Sequence, residues 1–430
     1  RPARAQGNGN SGGLADQQVG EPGDVDGGMG CHDACEGASF FNALWIRKIK
    51  GRPKIATGAD PADRLKSGCQ HQIAVLTLPR PVCCILHKTG KRRWTRSILM
   101  SICICLLGVF APNARAASGG LDVIKIEDRD YVSVSSIKNF YGFATLSKKG
   151  NSLILENPKK CRMALTIGSR ECLMNEVKFV FTYPVMLSGD KAYISRIDFS
   201  KLVDPVLRPR FIKNAENFST IILDPGHGGA DAGATNSLGT EATYNLRVAA
   251  MTKLMLEKRG FKVVMTRESD RYLSLQERVN LANARTESSL FISIHFNAGG
   301  REAWGIETFT LSPAGVSHYG RDTIASDYME RAGNEHDSAN VALATAVHGS
   351  VKQKLGTNTF DRGIKRARFS VLSGVKHPAI LFEGGFMSHQ REARLIHNER
   401  YQKAIANGIV DAIARYRNAL KPVGAVAVPR

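Results

Sequence analysis

Thr220-Ile-Ile-Leu-Asp-Pro-Gly-His-Gly-Gly-Ala-Asp-Ala-Gly233 is the stretch around which the chain is organised. Residues 220–223 are apolar or β-branched and read as a buried strand, and Asp224-Pro225-Gly226 must end it. His227 is thereby delivered onto a tight loop crowded with glycine, where backbone can approach a ligand closely. An imidazole at a strand end suits metal ligation or proton transfer, and a plain surface turn is the alternative.

Working outward, residues 241–259 repeat apolar positions at helical spacing and stop at Lys258-Arg259-Gly260. Phe261-Lys-Val-Val-Met265 follows as a strand, and Ser274 opens a further helix. A second buried strand, Leu290-Phe-Ile-Ser-Ile294, runs straight into His295. Gly305-Ile-Glu-Thr-Phe-Thr310 is strand-like, 339–355 helical, and Phe369-Ser-Val-Leu372 extended. A last central strand, Ala379-Ile-Leu-Phe382, ends at Glu383, and an amphipathic helix covers 399–420. This alternation predicts an α/β domain at 218–420, a mainly parallel twisted sheet flanked by helices. Ligands gather at the carboxyl ends of strands in such sheets, where His227, His295 and Glu383 all fall.

Two imidazoles and a carboxylate are a usual catalytic zinc set with a fourth position left for water. Glu241 supplies a carboxylate at a helix start, although a first-turn Glu is also favoured by the helix dipole alone. Glu383 has a plainer reading as well, a strand-end carboxylate in a polar loop. His348, within a helix, and His377, before Pro378, suit packing better than ligation.

The segments Leu223-Asp-Pro-Gly-His-Gly-Gly229, Gly239-Thr-Glu241, Thr266-Arg267, Leu275-Gln-Glu-Arg-Val-Asn-Leu-Ala-Asn283, Ser293-Ile-His-Phe-Asn-Ala298, Gly305-Ile-Glu307, Asp361-Arg-Gly-Ile364 and Leu381-Phe-Glu-Gly-Gly-Phe386 resemble, in order, the zinc-dependent N-acetylmuramoyl-L-alanine amidases. The resemblance implies that His227, Glu241 and His295 hold Zn²⁺, that Glu383 is the catalytic carboxylate, and that the muramoyl–L-alanine amide of peptidoglycan is hydrolysed. Asn297, two residues beyond His295, is a candidate substrate contact or a turn-stabilising residue. Ala232 stands where the family often has Pro, and His389 where Asn is common, which touches loop geometry only.

Residues 119–209 read as short strands separated by turns, with an internal echo between Tyr131-Val-Ser-Val-Ser-Ser-Ile-Lys-Asn-Phe-Tyr141 and Tyr193-Ile-Ser-Arg-Ile-Asp-Phe-Ser-Lys-Leu-Val203. This small α+β repeat domain resembles the N-terminal domain of copper amine oxidases and of exported wall enzymes, and is expected to act as a spacer or wall-binding module. In the link Asp204-Pro-Val-Leu-Arg-Pro-Arg210 two prolines discourage helix.

Upstream, a basic stretch at 91–96, an apolar run from Ile98 to Phe110 and Ala114-Arg115-Ala116 follow the order of a secretory signal peptide over 91–116. The run is shorter than the roughly 20 residues that span a bilayer, so no stable membrane anchor is expected after cleavage. Residues 1–90 lack periodicity and are expected to be disordered or foreign to the native protein. Export to the periplasm or cell envelope would leave Cys161 and Cys172 as the remaining cysteines, with a disulfide between them an open question.

The chain is +20 overall; residues 1–116 hold 16 basic and 8 acidic residues, leaving +12 for the remainder. An exported basic protein suits an acidic envelope polymer better than nucleic acid, and no DNA-binding element or organic-cofactor motif stands out. Peptidoglycan is the expected partner, with an activating or wall-associated protein also admitted. Residues 311–338 form a long polar segment expected to border the cleft. Two other classes stay open: a non-catalytic wall-binding protein that keeps the fold, and a zinc peptidase of the stem peptide.

Overall fold

The computed structural model describes residues 120–421 apart from 159, 160, 214 and 216, all within one compact unit. The expected upstream segment 1–90 and signal peptide 91–116 lie outside the described residues. No described helix is long and apolar enough to cross a membrane.

Strand Thr220–Pro225 forms as its β-branched residues direct, with every residue buried. It lies between Lys262–Met265 and Ser289–Asn297, parallel to both, and Ala379–Phe386 continues the parallel set. Ile306–Leu311 then enters antiparallel to Ala379–Phe386, and Asp361–Ala367 lies parallel beyond it. The expected sheet is therefore present but mixed, with helices on both faces.

The period of two sorts the side chains. Ile221, Leu223, Ile292 and Ile294 join a core with the helices Glu241–Glu257, Asp337–Leu355 and Glu399–Leu420. Ile222, Phe291, Phe309 and Leu381 point the other way, onto the shorter helices Leu275–Asn283 and Ser370–Gly374. Ser274 caps the first of these through a capping box with Glu277. Asp224, His295, Glu307 and Glu383 share the parity of this second face.

Two local expectations are corrected. Residues 369–372 are largely helical, because Ser370–Gly374 buries Val371 and Leu372 and approaches the neighbouring helix closely at Gly374. There a Cβ would meet Val279 at 2.9 Å. Asp204–Leu207 is helical despite its proline, since Pro205 sits in the first turn, where its missing N–H costs nothing. Asp361–Ala367, quoted in the sequence only as part of a motif, is a strand, and its Arg362, Lys365 and Arg366 pair with Glu307 and Asp198.

In the small region the echoed segments meet each other. Strands Arg129–Ser133 and Lys191–Ser195 pair antiparallel, Tyr131 opposite Ser195 and Ser133 opposite Tyr193, and each serine caps the helix that follows. Val123–Ile126 and Met186–Ser188 flank this pair in a four-stranded sheet, and the five strands between Thr145 and Val180 run on from the large sheet through Val177–Val180, which adjoins Asp361–Ala367 at Ile364 and Phe179. Eleven strands are thus hydrogen-bonded edge to edge. No disulfide joins Cys161 and Cys172. Cys172 lies opposite Leu165, four residues along the strand from Cys161, or about 13 Å at 3.3 Å per residue.

Buried ion pairing reinforces the seam. Arg366 Nη1 donates to Asp198 Oδ1 at 2.9 Å, and Asp198 also accepts from the backbone N–H groups of Thr182 and Tyr183 and from Ser195 Oγ. Asp198→Ala strips a fully buried guanidinium of its counter-ion and is expected to cost about 3–5 kcal/mol. Chemical denaturation of the variant against the parent checks this, and an unchanged midpoint would contradict it.

Candidate metal centre

The loop that carries His227 is held from below by buried charge. Asp224 accepts from Thr266 Oγ1 at 2.6 Å, Arg278 Nη1 at 2.7 Å and Ser293 Oγ at 2.8 Å. Arg267 donates to the carbonyls of Pro225 and Gly226. Arg278 donates to those of Pro225 and His227. Three successive carbonyls therefore point at two guanidiniums, and the His227 backbone takes φ +59°, a left-handed conformation uncommon outside glycine. Two glycines make the close approach. A Cβ on Gly226 would lie 2.0 Å from His295 Cε1, and one on Gly233, at φ +63°, would lie 2.6 Å from Glu241 Oε2.

His227, Glu241 and His295 converge so that one ligand-type atom of each lies within 4.8 Å of the others. Glu241 Oε1 is 3.2 Å from His227 Nε2 and 2.9 Å from His295 Nδ1. Ligands at 2.0–2.2 Å around a tetrahedral ion sit roughly 3.3–3.5 Å apart, so two nitrogens and one oxygen at these spacings fit zinc with little adjustment. Thr240 caps the helix that begins at Glu241, and Ala234 N–H donates to Glu241 Oε2 at 2.9 Å. Asp231 meets His227 Nδ1 at 2.8 Å, which leaves Nε2 directed at Glu241. Such an outer carboxylate orients a ligand imidazole.

Charges in the cluster are mutually adjusted. The hydrogen bond with Glu241 holds the His227 imidazole above its ordinary pKa. Burial would raise the Glu241 carboxyl, yet hydrogen bonds with His227 and His295 outweigh it and hold it well below the usual carboxylate range.

Glu383 lies opposite His295 on one side and Glu307 on the other. Burial pushes its carboxyl well above the ordinary value, and the Glu241 and Glu307 carboxylates push the same way against Lys365. Its Oε2 is buried with no hydrogen-bond partner among the described residues. A cleft of about 440 Å³ opens beside it, lined by His227, His295, Glu383, Tyr272, Arg368 and Phe369 among others.

The four residues expected to carry the chemistry are thus brought together. Asn297 is turned to a carboxylate: its Nδ2 donates to Glu307 Oε1 at 2.8 Å. Glu307, which also binds Arg362 and Lys365, was quoted in the sequence only as part of a motif. The segment 311–338 contributes no described residue to the cleft lining and reaches it only through Arg368, which it grips. His348 is fully buried between Thr308 and Asp361, and His377 contacts the Ala282 carbonyl. Arg267, Arg278 and Asp224 had no sequence signal beyond their place in the motifs, since buried charge looks like surface charge until its partners are known.

Comparison with known proteins gives the family. Residues 221–415 match the family described as N-acetylmuramoyl-L-alanine amidase. The chain is 32% identical over 212 residues to the germination-specific N-acetylmuramoyl-L-alanine amidase of Bacillus subtilis, a match that takes 46% of this chain and 78% of that protein. It is 30% identical over 275 residues to the N-acetylmuramoyl-L-alanine amidase LytC of the same organism, spanning 64% of this chain and about half, 47%, of the relative. The solved N-acetylmuramoyl-L-alanine amidase of Clostridium difficile 630 aligns at 32% identity and a TM-score of 0.38, covering 47% of this chain and 98% of that one. The chain belongs to the N-acetylmuramoyl-L-alanine amidase family.

Proposed function

We propose that this protein is a zinc-dependent peptidoglycan amidase that hydrolyses the bond between N-acetylmuramic acid and the L-alanine of the stem peptide. The observation that carries the reading is the convergence of His227, Glu241 and His295 beside the buried, unpartnered carboxyl of Glu383. A bound zinc ion supplies Lewis acidity for the amide carbonyl and lowers the pKa of attacking water. Glu383 takes the proton of that water and returns it to the departing amine, without which an amide nitrogen leaves poorly. Asn297 holds Glu307 in place behind Glu383, so its part is positioning rather than direct contact with substrate.

The chain is exported through the segment 91–116 and works in the periplasm or cell envelope, in wall remodelling or daughter-cell separation. The region 119–209 serves as a spacer or wall-binding module, and an activating protein partner fits the same setting.

Incubation of the mature protein with purified wall should release free stem peptide, identified by mass, and a chelator should stop the release. Intact wall with bound protein would instead mark a binding module, and fragments cut within the stem a peptidase. Glu383→Gln should lower the rate by roughly 10²–10⁴-fold with metal content unchanged. Gly226→Ala should displace the His295 ring and lower the bound zinc measured by elemental analysis, while the far-UV circular dichroism stays that of the parent.

A further inference from the structure

Arg368 lies at the end of the cleft away from the metal ligands, on the loop that follows strand Asp361–Ala367. Gly363 is level with Glu307 and hence with Glu383. Five residues further along and two strands across place the Arg368 backbone roughly 19 Å from that of Glu383, the span of five or six extended residues. Its side chain is 10% exposed. The segment 311–338 fixes it. Arg368 donates to the carbonyls of Pro313, Val316 and Asp327, and its backbone N–H donates to His318 Nδ1. The Asp327 carboxylate lies 2.8 Å from Arg368 Nε, but it also accepts two hydrogen bonds from Arg321, at 2.6 and 2.7 Å. One carboxylate thus answers two guanidiniums and a positive charge is left over. Arg368 Nη1 is buried with no hydrogen-bond partner among the described residues.

We propose that Arg368 is a specificity-determining residue that binds a carboxylate on the peptide side of the substrate, distal to the scissile amide. This rests on the amidase reading above. A guanidinium with an unused N–H donor and uncompensated charge selects a carboxylate over its carboxamide, because a desolvated carboxylate gains a charge-assisted hydrogen bond that the neutral amide does not. The cleft floor between the two ends carries Leu381 and Val371, apolar surface suited to the intervening peptide. The segment 311–338 then acts on specificity by holding this guanidinium rather than by covering the metal.

The test uses the zinc-loaded protein and a matched pair of soluble muramoyl-peptides, one with free peptide carboxylates and one with them converted to carboxamides. The parent should favour the free acid by at least tenfold in kcat/KM, mostly through KM. Arg368→Gln should bring that ratio close to one, and Arg368→Lys should retain part of it, with zinc content and melting temperature monitored in both. Equal kcat/KM for the two substrates in the parent, or a preference that survives in a folded Arg368→Gln variant, would overturn the assignment. Failure to cleave either substrate would instead count against the amidase reading itself, so the two failures are distinct.

Discussion

The site depends on a concentration of charge that never meets water. Arg267 and Arg278 lie side by side beneath the loop at 225–227 and between them bind the carbonyls of three successive residues, with Arg278 also paired to Asp224. Burial works against the charge on Arg267, and Arg278 adds to that pressure. The pair persists because every guanidinium nitrogen donates to an oxygen, and an unpaired buried charge would cost several kcal/mol. In satisfying these donors the backbone must turn its carbonyls inward, and that turn forces His227 into its left-handed conformation with its ring facing Glu241 and His295. The histidine is placed by what its own carbonyl and those before it are bound to.

The parallel strands and the long helices were legible because hydrophobic period and capping residues specify them locally. Thr220–Pro225, the helix from Glu241 and the Ser274 cap are examples. The candidate set of His227, Glu241, His295 and Glu383 was legible because two histidines and a glutamate at strand ends, with a glutamate at a helix start, repeat a family order. What escaped did so for two physical reasons. Buried charge kept Asp361–Ala367 from reading as a strand, since only the folded sheet shows that Lys365 meets Glu307 and Arg366 meets Asp198. Short helices such as Ser370–Gly374 owe their shape to packing against a neighbour, which no local pattern encodes. The cleft lining has the same origin: Arg368 gains significance from Asp327 and Arg321, remote in sequence and adjacent in space.

The parity of the sheet divides labour between its faces. One face is covered by three long helices and is wholly core. Among the described residues the other bears two short helices, so the end of that face nearest His227 and His295 stays uncovered and becomes the cleft. A single register therefore decides both which residues stabilise the domain and which meet substrate. Slipping Ala379–Phe386 by one residue would send Glu383 into the opposite core.

The continuity of strands across the seam between the small region and the catalytic one has a mechanical meaning. Modules joined by a flexible linker sample a volume, and the effective concentration of one near the other's target falls with tether length. Here the backbone ladder, the Arg366–Asp198 pair and the bond from Lys178 N–H to Asp361 replace the tether with a fixed offset. Anything gripped by the small region is presented to the cleft at one distance and one angle. On a polymer with a regular repeat, such a connection works as a gauge, with reach set by the sheet rather than by diffusion.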